Sequence, residues 1–184
     1  GEWYPELLAQ LPSPTNGGIR WVNDQLEVTY VLKSGLLWSD GQPLTSADLR
    51  FTWELLRTPH HLQDPVASNY DPPFQIEAIE TPNSLTAVFR YRPGAWESNG
   101  FDLIEYRIPL LYVLPEHALT GQHPYDLLSY SHFTHFPVGN GPYVVEDWLP
   151  GSHLDLRVNP NYHKRYLGLP RAQRVRLLFT GHPF

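Results

Sequence analysis

Nine histidines and nineteen acidic residues, with no cysteine, define the chemistry open to this chain. His60 and His61 are adjacent, and His132 and His135 stand three apart in Ser-His-Phe-Thr-His-Phe. A helix would place the latter two on one face, and imidazole is a ready zinc ligand. His132 and His135 are therefore the candidate metal pair. No acid follows them at a useful spacing and no His-Glu-x-x-His occurs, so hydrogen-bonded loop histidines are the stronger reading and no cofactor is expected.

Among the carboxylates, Asp40, Asp48, Glu77, Glu80, Glu105 and Asp155 could in principle pair as acid and base. Asp40 sits in an Asp-Gly turn and Asp48 where a helix cap needs an acid, which gives both a structural role. The lack of cysteine excludes thiolate catalysis and Cys-ligated zinc. A Gly-x-Ser-x-Gly elbow is missing. Gly139-Asn140-Gly141 is no phosphate loop, because the Walker lysine is absent and Pro142 removes an amide donor. With no nucleophile–base pair in sight, an enzyme is not expected. The net charge of −6 without a basic run argues against nucleic acid as a partner. No apolar run approaches the ~18 residues of a membrane span.

The elements that would position these residues are short. Proline, at 19 of 184 residues, is scattered through the chain and implies many stiff turns. Trp21 to Leu32 reads as one strand with Leu26, Val28, Tyr30 and Leu32 on one face. Asp40-Gly41 is a turn, and Thr45 is the expected N-cap of a helix whose third residue is Asp48. Leu49, Trp53 and Leu56 form the buried face of that helix, which Pro59 stops near Arg57. Leu85 to Tyr91 alternates as a second strand. Pro115 opens a helix, and Gly121 to Pro137 is a loop with at most one short helix. Tyr143 to Trp148 and His153 to Val158 form a hairpin about Pro150-Gly151, and Arg174 to Thr180 is a last strand.

Two of these blocks, and a third between them, carry a resemblance. Tyr30 to Gly35 followed by Trp38-Ser39-Asp40-Gly41-Gln42-Pro43-Leu44-Thr45-Ser46-Ala47-Asp48-Leu49 and Phe51-Thr52-Trp53 resembles the signature of family 5 extracellular solute-binding proteins. Val138-Gly139-Asn140-Gly141-Pro142-Tyr143, Trp148, Pro150-Gly151 and Arg157 to Tyr162 resemble the hairpin and Asn-Pro-x-Tyr of the same family. Ala78 to Val88 and Leu114-Pro115-Glu116-His117 fit between them in the right order.

The resemblance implies an α+β, periplasmic-binding-protein-like lobe of mixed or antiparallel sheets with a few packed helices. It implies a first-lobe subdomain over 1–137, a hairpin and strand over 138–184 returning to the main part of the lobe, and together a truncated solute-binding domain over 1–184. The second lobe would follow Phe184, and a signal segment or lipid anchor would precede Gly1. The implied function is ligand capture for an ABC importer, with peptides the first choice and a nickel-type metal or metal chelate the alternative. The implied partners are a peptide or other small solute and a membrane permease, with the protein itself monomeric and extracytoplasmic. By the same resemblance, Tyr70, Asn69 and Asn140 are the ligand-contacting candidates. Asp40, Gly41, Pro43, Thr45, Asp48, Trp53, Gly139, Gly141, Pro142 and Tyr143 are the structural motif.

Overall fold

The computed structural model describes residues 4–57, 75–94 and 113–179. The chain forms two compact units, one of Gly1–Ser34 with Thr45–Glu116 and one of Gly35–Leu44 with His117–Phe184. The segment boundary expected at 137/138 falls inside the second unit.

The first unit is built on an antiparallel sheet of β1 (Ile19–Val22), β2 (Gln25–Val31), β3 (Ile76–Asn83) and β4 (Thr86–Tyr91), in the order β1-β2-β4-β3. The single strand expected from Trp21 to Leu32 is in fact a hairpin. Asn23 and Asp24 adopt φ of 50° and 64°, and Trp21 pairs with Leu26 and Val22 with Gln25. Two consecutive left-handed residues fit the right-handed twist of the flanking strands, and Asn and Asp tolerate that conformation best after glycine. The expected inward face nonetheless holds: Leu26, Val28, Tyr30 and Leu32 are all buried. Val28 lies opposite Phe89, and the Tyr30 ring meets Phe89 edge-on with centroids 4.8 Å apart. Burying a side chain such as Phe89 stabilises the fold by roughly 1.5–3 kcal/mol.

Helix α1 (Ser46–Leu56) packs on β3 and β4. Thr45 is extended (φ −130°, ψ 172°) and caps the helix, its hydroxyl accepting from the Ala47 amide at 3.3 Å. The Asp48 carboxylate reaches back to the Thr45 amide at 2.7 Å, completing the expected capping box. Leu49 and Trp53 are buried as expected, Leu56 in the last turn is only half-buried, and the helix ends at Arg57, whose guanidinium lies 4.6 Å from the Trp53 ring centroid.

A second, polar seam runs beside this apolar face. Asp48 and Thr52 are one turn apart and buried, and they accept the backbone amides of Glu116 and Leu114 at 2.9 and 2.8 Å. Thr52 donates its own hydroxyl proton to the Asp48 carbonyl at 2.7 Å. The helix thereby fixes the returning chain by hydrogen bonds where an apolar contact would leave two amides unsatisfied.

The second unit contains an antiparallel sheet of β5 (Tyr143–Leu149), β6 (His153–Val158) and β7 (Arg174–Leu178), in that order. β5 and β6 join through the expected Pro150-Gly151 turn, where Gly151 has φ 77° and the Ser152 amide donates to the Leu149 carbonyl at 3.0 Å. Helix α2 (Glu116–Leu119) opens on the last residue of the first unit. Between Gly121 and Pro137 there are two short helical pieces instead of at most one: a 3-10 turn over Pro124–Ser129 and α3 over Ser131–Thr134. Among the described residues, no helix is long and apolar enough to cross a membrane.

Candidate ligand-binding residues and their scaffold

Within the second unit, three segments far apart in sequence are tied into one knot. The first is the turn Trp38–Gln42. The Trp38 amide donates to the Gln42 carbonyl at 2.8 Å, and the Gly41 amide to the Trp38 carbonyl at 2.9 Å. Gly41 has φ 90°, a conformation that strains any residue with a Cβ. Asp40 divides its carboxylate: one oxygen accepts from the Gln42 amide at 3.1 Å, and the other lies 2.7 Å from His117 Nε2.

The second segment is Gly139-Asn140-Gly141. The Ser39 amide donates to the Gly139 carbonyl at 2.8 Å, and the Gly139 amide returns a bond to Ser39 Oγ at 3.2 Å. The third is Asn159-Pro160-Asn161. Asn159 is fully buried, donating from Nδ2 to the Gly141 carbonyl at 2.8 Å and accepting the Asn161 amide at 2.9 Å. Asn161 Nδ2 closes the ring by donating to the Ser39 carbonyl at 3.1 Å. Tyr143, at the start of β5, anchors a fourth stretch by donating its hydroxyl proton to the Ala172 carbonyl at 3.0 Å.

The electrostatics of the knot centre on Asp40. Partial burial pushes its carboxyl up, but the His117 hydrogen bond, the Gln42 amide and the nearby imidazole outweigh that. The net effect holds it below its ordinary value of 3.8. Trp38 is buried beneath this pair, with its ring centroid 6.4 Å from that of His117. These residue types do positional work. Asparagine offers donor and acceptor from one short side chain, so it can satisfy a buried carbonyl and an amide together.

The segments that meet in the knot are those whose sequence resembles a solute-binding signature. Residues 3–183 match the family described as bacterial extracellular solute-binding proteins, family 5 Middle. The chain belongs to this family. A Brucella ovis protein named for ABC transporter peptide binding is 29% identical over 158 residues, covering 83% of this chain and 26% of its own length. The oligopeptide-binding protein AppA of Bacillus subtilis is 25% identical over 147 residues, covering 78% of this chain and 25% of its own. The crystal structure of a periplasmic oligopeptide-binding protein of an ABC transporter from Thermotoga maritima superposes with a TM-score of 0.65 at 26% identity, over 89% of this chain and 28% of that one. The family 5 chain described here thus spans about a quarter of the length of the curated relatives it matches. Its antiparallel sheets and few helices agree with the expected α+β, periplasmic-binding-protein-like fold.

Against this family 5 scaffold the expected site residues fall into three groups. Asp40, Gly41, Gly139 and Gly141 lie in the knot itself, beside Pro142 and Tyr143. Pro43 forms a bridge with Leu37 in the same unit, while Thr45, Asp48 and Trp53 belong to the start and core face of α1 in the first. Asn140 lies half-buried between the two anchored glycines. Tyr70 and Asn69, with His60 and His61, lie outside the described residues.

His132 lies in α3, and His135 is the residue that caps its C-terminal end. Each has a ring neighbour: His132 lies 5.3 Å from Tyr130, and His135 lies 4.7 Å from Trp148, centroid to centroid. Among the described residues, the ligand atoms that come together are those of Asp147, His153 and Asp155, and neither His132 nor His135 joins them. Sequence reasoning passed over Ser39, His117, Asn159 and Asn161 as partners. The recurrence of asparagine in Asn-Pro-Asn-Tyr after a hairpin was the available signal, since asparagine in a tight turn so often satisfies backbone groups.

Proposed function

We propose that this chain is the part of an ABC importer's solute-capturing component that supplies one jaw of the binding site, with peptides as the ligand class. The observation that carries the reading is the family match over residues 3–183, alongside relatives whose names give peptide binding. Capture without chemistry is consistent with the residues: no nucleophile–base pair was found in the sequence, so the protein is read as a non-enzyme. It would work outside the cytoplasm, periplasmic or lipid-anchored, as a monomer that hands its ligand to a membrane permease.

Asn140 is the ligand-facing residue favoured within the described part of the chain. Neither Gly139 nor Gly141 has a left-handed φ, and a Cβ built at either meets no atom within 4 Å. The turn does not require glycine there for steric reasons, whereas glycine lets another molecule approach the backbone closely. Asn140 between them would offer an amide donor and a carbonyl acceptor, matching an extended peptide backbone. Tyr70 and Asn69 remain proposed contacts on the strength of the resemblance, an aromatic face and a carboxamide for the same ligand.

The test is isothermal titration of the intact natural protein with a pool of di- to pentapeptides. Saturable binding is expected, and Asn140→Ala should weaken it about tenfold, the loss of roughly one good hydrogen bond, with the urea midpoint unchanged. Heat evolved only with nickel chelates, or with no peptide in the pool, would overturn the peptide reading.

A further inference from the structure

The β5–β6–β7 sheet gathers three side chains of metal-ligating type, Asp147, His153 and Asp155. A bulge between Val145 and Asp147 sets both Glu146 and Asp147 against Asp155 of β6, and bulges commonly re-aim a side chain in this way. His153 stands two residues before Asp155 on the same strand, so both project from one face. The three donor atoms lie within 4.8 Å of one another. His153 Nε2 is 3.4 Å from an Asp147 oxygen and 4.0 Å from an Asp155 oxygen. A tetrahedral cation with bonds of about 2.0–2.2 Å needs its ligand atoms roughly 3.4 Å apart, so small side-chain rotations suffice.

The surroundings hold two of these ligands in place. His153 Nδ1 lies 3.0 Å from Ser152 Oγ; with Nδ1–H donating there, the Nε2 lone pair faces the carboxylates. Arg176 of β7 grips both oxygens of Asp155, at 2.6 and 2.5 Å, and fixes the carboxylate plane. Two carboxylates and one guanidinium give the cluster one net negative charge apart from the imidazole. The side chains of His153 and Asp155 are 18% and 19% exposed, while Asp147 is 63% exposed and is the arm free to swing onto an ion.

We propose that Asp147, His153 and Asp155 form a divalent cation site of the zinc class, with a water as fourth ligand. An imidazole donor and a three-residue set favour zinc over calcium or magnesium, which prefer all-oxygen shells of six or more. Bound there, the ion clamps the β5–β6 hairpin.

Zinc chloride titrated calorimetrically into the metal-free full chain near neutral pH tests this. One site is expected, weakened at least about tenfold by Asp147→Asn and by His153→Gln. The double variant H132Q/H135Q should bind as the parent does. Asp147 is exposed, so its variant should keep the metal-free urea midpoint and separates ligand loss from misfolding. Unchanged affinity in both single variants, loss of the site in H132Q/H135Q, or tighter binding of magnesium than of zinc would each overturn the assignment.

Discussion

Glu27 and Arg90 face each other across β2 and β4, the guanidinium Nε 2.8 Å from a carboxylate oxygen, on a sheet whose other face is the apolar core. Arg20 of β1 holds the second oxygen of Glu27 at 2.8 Å, and Arg90 extends to Glu80 of β3 at 2.7 Å. One ladder of alternating charge therefore crosses all four strands in the order β1-β2-β4-β3. The Glu27 side chain is 6% exposed, whereas those of Arg20 and Arg90 are 54% and 38% exposed. Removing the acid lets both cations rehydrate, so Glu27→Gln should lower stability by about 1–2 kcal/mol, less than a fully buried pair would cost. Urea unfolding near neutral pH measures this, and an unchanged midpoint would show that the ladder adds nothing.

The same ladder gives a pH dependence. The Arg90 hydrogen bond holds the Glu27 carboxyl below its ordinary value of 4.5, against the opposing effect of burial and with help from Arg20. A depressed acid contributes stability that is fully present above its unfolded value and is lost as pH falls through its folded one. The gap in urea midpoint between parent and Glu27→Gln should be constant near neutrality and close below pH 4.5. Asp40, held below 3.8, should add a second loss at lower pH, abolished in Asp40→Asn. A gap that widened on acidification would contradict the depressed carboxyl.

Asn159 has no exposed surface, and its carboxamide serves both Gly141 and Asn161. Asn159→Ala takes away the bonds it makes to the half-buried Gly141 carbonyl and Asn161 amide, at a cost of about 1–3 kcal/mol. Asn159→Asp keeps the acceptor for the Asn161 amide but turns a second acceptor toward the Gly141 carbonyl. Protonation converts that oxygen into a donor, so this variant's deficit in melting temperature should shrink as pH falls. Equal deficits at all pH values would mean that the Gly141 bond contributes little.

What could be read in advance was local. Alternation in Leu26-Val28-Tyr30 and Ala87-Phe89 marks core faces because a strand repeats every two residues. Thr45 and Asp48 announce a helix start because the cap is built from neighbours. The Asn23-Asp24 hairpin was missed for want of a glycine, although both residues tolerate positive φ. The tying bonds were out of reach for a different reason. Asp48 meets Glu116 across 68 residues, Gly139 meets Ser39 across 100, and Asn161 meets Ser39 across 122. No periodicity encodes which distant amide a buried polar group will satisfy; there the family resemblance marked the segments without saying that they touch.

Thr45 and Asp48 separate local from long-range stabilisation within one capping box. Thr45→Ala removes only the hydroxyl that accepts from the first-turn amides of Ala47 and Asp48, and should cost about 1 kcal/mol. Asp48→Ala removes the acceptor for Thr45 at 2.7 Å and also for Glu116 at 2.9 Å, both beside a buried side chain. Two amides then lose their partners, and a cost of about 2–4 kcal/mol is expected. Hydrogen exchange distinguishes the two variants further. In Thr45→Ala the faster exchange should be confined to the first turn of α1, while in Asp48→Ala it should spread to the Leu114 and Glu116 amides that α1 holds. Equal exchange at Glu116 in both variants would show that the returning chain is held by something other than the Asp48 carboxylate.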